Sequence, residues 1–314
     1  MSEIPSGTTS VEATAPVLLT GAAGLLGRAV LARICPSRRA YAVVKGLPEQ
    51  PLVGGATPIV RDLRQHRDIE VSERPETVVH LAQSPRYLDF PAGALDVFEV
   101  SMGATQHLLD WACRNGVRRF IYASSGGVYG HGGAAFAEDA PVEVDRIGEH
   151  FLATKRCGEL LAESYAKHLT VIVLRLFFVY GPAQRRTMLL PRLVDNVLHG
   201  RPIILQGQDG MRLNPVYVDD AAAAIEAALA LESSGTINVA GPQVLTLRKI
   251  GGLIGRVTGC EPVFEVRHDS DAKHLVGDTD KMSRVLATPR IDMAVGIRRM
   301  VTGDRLIPGG GDAE

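Results

Sequence analysis

Short apolar runs alternate with amphipathic stretches over the first 180 or so residues. "APVLLTG" is followed by "GLLGRAVLARI", then by "AYAVVK", "TPIVRD", "ETVVHLA", "ATQHLLDWACRNG", "RRFIYASS", "KRCGELLAESYAKH" and "LTVIVLRL". The short continuous runs read as strands buried on both faces, and the longer segments between them repeat apolar residues at helical spacing. Strand and helix in that rhythm predict a doubly wound α/β fold, a Rossmann-type parallel sheet covered on both sides.

After "VYGP" at 179–182 the texture changes. "MLLPRLVDNVLHG" predicts a helix, "RPIILQGQDGMRLNP" a turn-rich strand, "VYVDDAAAAIEAALAL" a helix opened by Asp219 and Asp220, and "GTINVAG" a further strand. From "LTLRKIGGLIGRVTG" onward the pieces are too small to extend the main sheet neatly. The expected division is therefore a leader at 1–14 and a Rossmann-type domain at 15–181, to which 213–243 returns. A smaller C-terminal substrate-binding lobe follows, made of 182–212 and 244–308, with a tail at 309–314. Such a lobe closes one side of a cleft.

Composition narrows the partners. The chain has 314 residues, 46% hydrophobic and 22% charged, which suits one globular unit or two closely joined lobes with a sizeable core. With 34 basic against 35 acidic residues, nothing in the balance calls for nucleic acid or an anionic membrane. A small molecule is the expected partner. Cys35, Cys113, Cys157 and Cys260 lack C-x-x-C spacing and read as reduced thiols, so no metal site is expected. The start has no signal-peptide pattern and no stretch reaches the roughly 20 apolar residues of a membrane span, so the expected location is cytoplasmic.

The strongest local signal is "LLTGAAGLLGRAV". Gly21, Gly24 and Gly27 follow the first predicted strand and open the first helix. A turn without side chains lets backbone N–H groups reach a pyrophosphate, and the helix N-terminus favours its charge. A glycine trio alone would be weak evidence, but strand, turn and helix stand here in the order a dinucleotide site requires.

The spacing T-G-x-x-G-x-x-G is joined by "RD" at 61–62, "VVHLA" at 78–82, "SSGGVYG" at 124–130, "LRLFFVYGP" at 174–182 and "VYVDDAAAAI" at 216–225. This ordered set spans nearly the whole chain and resembles the extended short-chain dehydrogenase/reductase family, in its NAD-dependent nucleotide-sugar epimerase and dehydratase branch. The resemblance implies NAD or NADP as cofactor, a nucleotide sugar as substrate, and a homodimer formed through helices 100–115 and 151–167. It implies cofactor contacts at Gly21, Gly24, Leu25, Leu26 and Gly27, at Asp62 and Leu63, at Leu81, Ala82 and Gln83, and at Ser101 and Lys155. Where an acidic residue would bind the adenosine ribose of NAD stands Lys45. That cation suits a 2′-phosphate and tilts the reading toward NADP, and it reads equally as a solvated strand-end lysine.

A working member of such a family uses a Ser or Thr, a Tyr and a Lys around the nicotinamide, the lysine lowering the tyrosine pKa. Ser125 and Lys155 match two of these, and Phe151 occupies the tyrosine position with no proton to exchange. The literal Tyr-x-x-x-Lys of Tyr41 and Lys45 lies in the second predicted strand, where a proton relay has no use. Tyr165 is about 21 Å along the helix from Phe151. Candidate replacements are His150, which reads more readily as a surface residue, and Glu138, in a loop that approaches the sugar in relatives; Tyr129 and His131 lie on the same side. Family members carry Asn where Ser101 and Phe178 stand. Ser125, Phe178 and Arg212 are the expected substrate contacts, although Arg212 is one position out of the usual spacing. Arg185 and Arg186 read as solvated loop charges.

The reading adopted is an epimerase/dehydratase-like enzyme with altered acid–base chemistry. The alternatives are a catalytically silent dinucleotide-binding protein, acting as sensor or structural element, and a reductase of a non-sugar small molecule.

Overall fold

The computed structural model describes residues 15–47, 51–65, 68–142 and 149–305, so the expected leader and tail lie outside the described residues. In chain order the first half holds β1 (Val17–Thr20), α1 (Leu25–Ile34), β2 (Ala40–Val44), β3 (Thr57–Val60), β4 (Thr77–His80), α2 (Ala94–Phe98), α3 (Ala104–Arg114), β5 (Arg119–Ser125), α4 (His150–Ser164) and β6 (Thr170–Leu176). The second half holds α5 (Leu189–Leu198), β7 (Ile203–Gln206), β8 (Arg212–Leu213), α6 (Val218–Ala228), β9 (Gly235–Val239), β10 (Leu245–Thr246), α7 (Leu247–Thr258), β11 (Phe264–Arg267), α8 (Asp280–Val285) and α9 (Met293–Arg305).

Seven parallel strands form the central sheet in the order β3-β2-β1-β4-β5-β6-β9. The fold is the doubly wound α/β architecture that the apolar rhythm predicts. Strand side chains alternate between two cores, as a period of two requires. Val17, Leu19, Val79, Ile121, Ile172 and Leu174 join the cluster that contains residues of α1 and α6. Leu18, Val78, Phe120, Tyr122, Val171 and Val173 join the one that contains residues of α3 and α4. β3 departs from this pattern and is mostly exposed, because it is an edge strand and Pro58 can stand only where no N–H is needed.

After β3 the chain crosses back to lay β4 on the other side of β1, pairing Thr20 with His80. This is where the strand order reverses, and a crevice opens at the carboxyl ends of β1 and β4. Between α2 and α3 the helix widens into a π-turn at Glu99–Gly103, a local expansion that often accompanies functional positions. The later elements build another apolar cluster, in which Leu193, Val194, Ile203, Ile254, Ile297 and Met300 are buried. Two small sheets, β11 beside β7 and β10 beside β8, flank it.

Candidate active site

The crevice begins with a loop that only glycine can build. Gly21 has φ 71°, and a Cβ there would fall 2.7 Å from the Leu81 carbonyl carbon and 2.8 Å from the Ala82 nitrogen. A Cβ on Gly27 would fall 2.2 Å from the Gly21 oxygen, so α1 rests directly on the turn. Gly24 caps α1 in an extended conformation, and no acidic residue occupies the first turn. The N–H groups of Leu25 and Leu26 belong to that turn, where an α-helix supplies no acceptor of its own. A side-chain-free cradle with unneutralised donors at a helix N-terminus fits the pyrophosphate of a dinucleotide.

At the end of the crevice expected to hold the adenosine, Lys45 lies exposed just beyond β2. Asp62 is grasped by Arg64, whose Nε donates at 3.0 and 3.1 Å to the two carboxylate oxygens and whose Nη2 donates at 2.5 Å. These hydrogen bonds hold the Asp62 carboxyl down at about 2. Arg64 also donates to Asp96 at 2.8 Å, and Asp96 accepts from Ser84. Arg61 Nε is buried without a protein acceptor among the described residues, a donor that sequence reasoning overlooked. Of the three positions after β4, Ala82 is buried, Leu81 is half-buried and Gln83 is exposed.

Beneath the loop runs a chain of hydrogen bonds whose direction can be deduced. Thr105 Oγ1 donates to the Ser101 carbonyl at 2.7 Å, so it must accept at its 3.1 Å contact with His80 Nε2. His80 therefore carries its proton on Nε2, and Nδ1 accepts from Thr20 Oγ1 at 2.7 Å. Thr20 Oγ1 in turn accepts the Ala82 N–H at 3.2 Å. Burial, with a smaller push from the Lys155 charge, lowers His80 to about 3 and keeps it neutral. Ser101 sits on the π-turn and its hydroxyl is buried without a partner among the described residues.

Lys155 projects from α4 and is 3% exposed. Its Nζ donates to the Ala123 carbonyl at 2.8 Å and stands 5.8 Å from the centre of the Phe151 ring and 5.2 Å from that of Tyr122. Burial lowers the ammonium to about 8, against a partial counter-effect of Glu159. Ser125 ends β5 and its Oγ accepts the Gly127 N–H at 3.1 Å. Phe151 is half-buried and packs on Tyr87, ring centres 4.9 Å apart. The Tyr87 hydroxyl donates to Met188 Sδ at 2.8 Å. Tyr87 was not among the candidates, because nothing in its sequence neighbourhood points to Phe151.

α4 is held in place by a buried ion cluster that sequence reasoning also missed. Glu159 is fully buried and accepts two hydrogen bonds from Arg175, at 2.9 and 2.8 Å, with further donors from Ser124 and Arg156. Arg175 also lies 4.5 Å over the Tyr129 ring.

The remaining candidates have other partners. His150 Nε2 donates to the Ala94 carbonyl at 3.1 Å, and its ring stacks on Phe90. Glu138 accepts the Asn238 backbone N–H at 2.8 Å, and Tyr129 donates to the Asn238 side chain. Arg212 donates to the Gly133 carbonyl, and its own N–H donates to His274 Nδ1. Tyr41 pairs with Ser72 and Tyr165 with Gln106, both outside these contacts. Phe178 has φ 46°, a region that disfavours a bulky side chain and that Asn tolerates far better. Among the described residues no cluster of His, Cys, Asp or Glu could hold a metal, and no helix is long and apolar enough to cross a membrane.

The fold and this crevice define a dinucleotide-binding protein of the short-chain dehydrogenase type. A model of the NAD dependent epimerase/dehydratase family matches residues 17–240, and the chain belongs to that family. It is 30% identical to a dTDP-glucose 4,6-dehydratase of Streptomyces griseus over 92% of its own length and 93% of the relative's. It is also 30% identical to a UDP-glucuronate 4-epimerase of Thermodesulfobacterium geofontis (strain OPF15), over 63% of this chain and 62% of the other. Among solved structures, MoeE5 in complex with UDP-glucuronic acid and NAD superposes with a TM-score of 0.78 at 26% identity, covering 93% of this chain and 99% of that one.

Proposed function

We propose that this chain is an NAD-dependent enzyme acting on a nucleotide sugar, of the epimerase or dehydratase kind, with its acid–base chemistry altered at Phe151. The observation that carries the reading is Lys155. Its ammonium is buried beside the end of β5 with no carboxylate in contact among the described residues, an arrangement that packing alone would disfavour. The glycine cradle would hold the pyrophosphate of NAD, with Lys45, Arg61 and Asp62 toward the adenosine end and Ser101 and Lys155 toward the nicotinamide ribose. When bound, the nicotinamide supplies a hydride acceptor and donor. Ser125 would orient the reacting sugar oxygen, Phe178 and Arg212 would line the sugar side, and the Phe151 ring would exclude water from it.

Relatives that act on UDP-glucuronate and dTDP-glucose support the substrate class. The test is incubation of the purified protein and NAD with UDP-glucuronic acid, UDP-glucose or dTDP-glucose, followed by chromatography of the sugar nucleotides. Conversion of none of the three would overturn the reading. The silent-binder alternative draws on the same Phe151 ring. Phe151→Tyr separates the two: a dormant relative gains turnover, whereas an enzyme with a rewired proton path stays unchanged or loses it. Lys45 offers a partner for a 2′-phosphate, so NADP should also bind, and Lys45→Ala should weaken NADP more than NAD.

Leu160, 51% exposed on α4, would form part of the face through which two copies pair by the helices of 100–115 and 151–167. A monomer in sedimentation equilibrium would remove that part of the proposal.

A further inference from the structure

Phe151 leaves the family's tyrosine position without an exchangeable proton, yet the ring that touches it carries one. Tyr87 arrives from the segment after β4 and meets Phe151 with ring centres 4.9 Å apart and planes inclined at 50°. Among the described contacts its hydroxyl donates only to the thioether of Met188. Sulfur of this kind is a weak acceptor, so an incoming sugar oxygen would readily displace it. Burial pushes the phenol above its ordinary range; Glu149 adds to the rise and Arg185 opposes it. At neutral pH the proton therefore stays on Tyr87 until an acceptor with developing negative charge arrives.

The obvious substitutes are committed elsewhere. His150 is fastened to the Ala94 carbonyl and stacked on Phe90, while Glu138 is bonded to the backbone of Asn238. Among the described ring contacts Tyr87 is the phenol that touches Phe151, whereas Tyr122, whose ring lies near Lys155, is fully buried in the core.

We propose that Tyr87 exchanges the proton with the reacting sugar oxygen in place of the hydroxyl that Phe151 lacks; this rests on the nucleotide-sugar reading above. In the direction of carbonyl reduction the Tyr87 Oη–H bond breaks, its electron pair remains on Oη, and the proton forms the new O–H bond of the sugar. The accompanying hydride comes from a reduced nicotinamide and forms the new C–H bond. In the direction of oxidation the phenolate form of Tyr87, which Arg185 favours against burial, takes the proton of the sugar O–H as that bond breaks, and the hydride passes from carbon to an oxidised nicotinamide.

Tyr87→Phe keeps the ring that packs on Phe151 and removes only the hydroxyl. Calorimetric titration of UDP-glucuronic acid, UDP-glucose and dTDP-glucose into the NAD-saturated protein reads the lost hydrogen bond without requiring turnover. Absorbance of reduced nicotinamide after mixing reads the lost proton carrier. The expected result is binding weakened about fivefold and nicotinamide reduction slowed about 10²–10⁴-fold, with the rate recovered when Phe151→Tyr is added to Tyr87→Phe. Unchanged binding and unchanged reduction in Tyr87→Phe, with wild type active, would overturn the role of Tyr87 alone. Failure of wild type to bind any of the three sugars would overturn the nucleotide-sugar reading and the Tyr87 proposal with it.

Discussion

The two ends of the crevice are built on different principles. The coenzyme end is backbone against backbone: Gly21 against Leu81 and Ala82, and Gly27 against Gly21, with contacts so close that no other residue fits. The other end is side chain against side chain, where the Phe151 ring meets Tyr87 and Tyr87 meets the Met188 thioether, with Phe178 packed in a separate apolar cluster. A site made of backbone cannot drift without losing the fold that supports it. One made of side chains can exchange a phenol for a phenyl group and keep its shape. The two ends therefore tolerate substitution to very different degrees.

The contrast can be attacked first at its shared foundation. Glu159→Ala leaves Arg175 charged and buried without its partner, which should cost about 3–5 kcal/mol in denaturant unfolding; Glu159→Gln should cost less. If Glu159→Ala unfolds like wild type, α4 is not held as described. At the coenzyme end, Gly27→Ala forces a methyl group into the Gly21 carbonyl. It should cost about 1–3 kcal/mol as overpacking and abolish NAD binding, whereas Phe151→Tyr at the other end should leave NAD affinity unchanged in fluorescence titration. Equal losses from both would erase the distinction.

Acid sharpens it further. His80 takes a proton near pH 6.5 in the unfolded chain and only near 3 in the folded one, so below pH 6.5 the unfolded state binds more protons. Stability should fall by about 1.4 kcal/mol for each pH unit from 6.5 down toward 3 on account of this group. His80→Asn should flatten that part of the profile measured by thermal denaturation. The smallest effect is expected at Phe178. Phe178→Gly relieves a positive φ worth about 1 kcal/mol but surrenders apolar contacts of similar size, so its melting temperature should stay close to wild type while sugar affinity changes.

How much of this was legible in the chain follows from the same contrast. The parallel sheet and the glycine turn were readable because each is written in a local pattern of spacing and alternation, whereas the reversal of strand order at β1 and β4 came only from the structure. Lys155 and Phe151 were readable as positions, from their place relative to Ser125. Their surroundings were not, because packing joins residues remote in sequence: Tyr87 to Phe151, Tyr87 to Met188, and Arg175 to Glu159. His150 and Glu138 entered as candidates because they stand near the right segments, while the direction of a side chain depends on partners that proximity along the chain does not disclose. The π-turn around Ser101 has no sequence signature of comparable strength.

The polarity of the Thr20–His80–Thr105 chain has a consequence for traffic through the protein. Each link already has its hydrogen pointing one way, toward Ser101, and the imidazole in the middle resists a second one at any physiological acidity. The chain ends on the Ser101 carbonyl, which has no proton to pass on, so its hydrogens are fixed in one orientation. A proton exchanged at Lys155 or Tyr87 would therefore not be relayed through these three side chains.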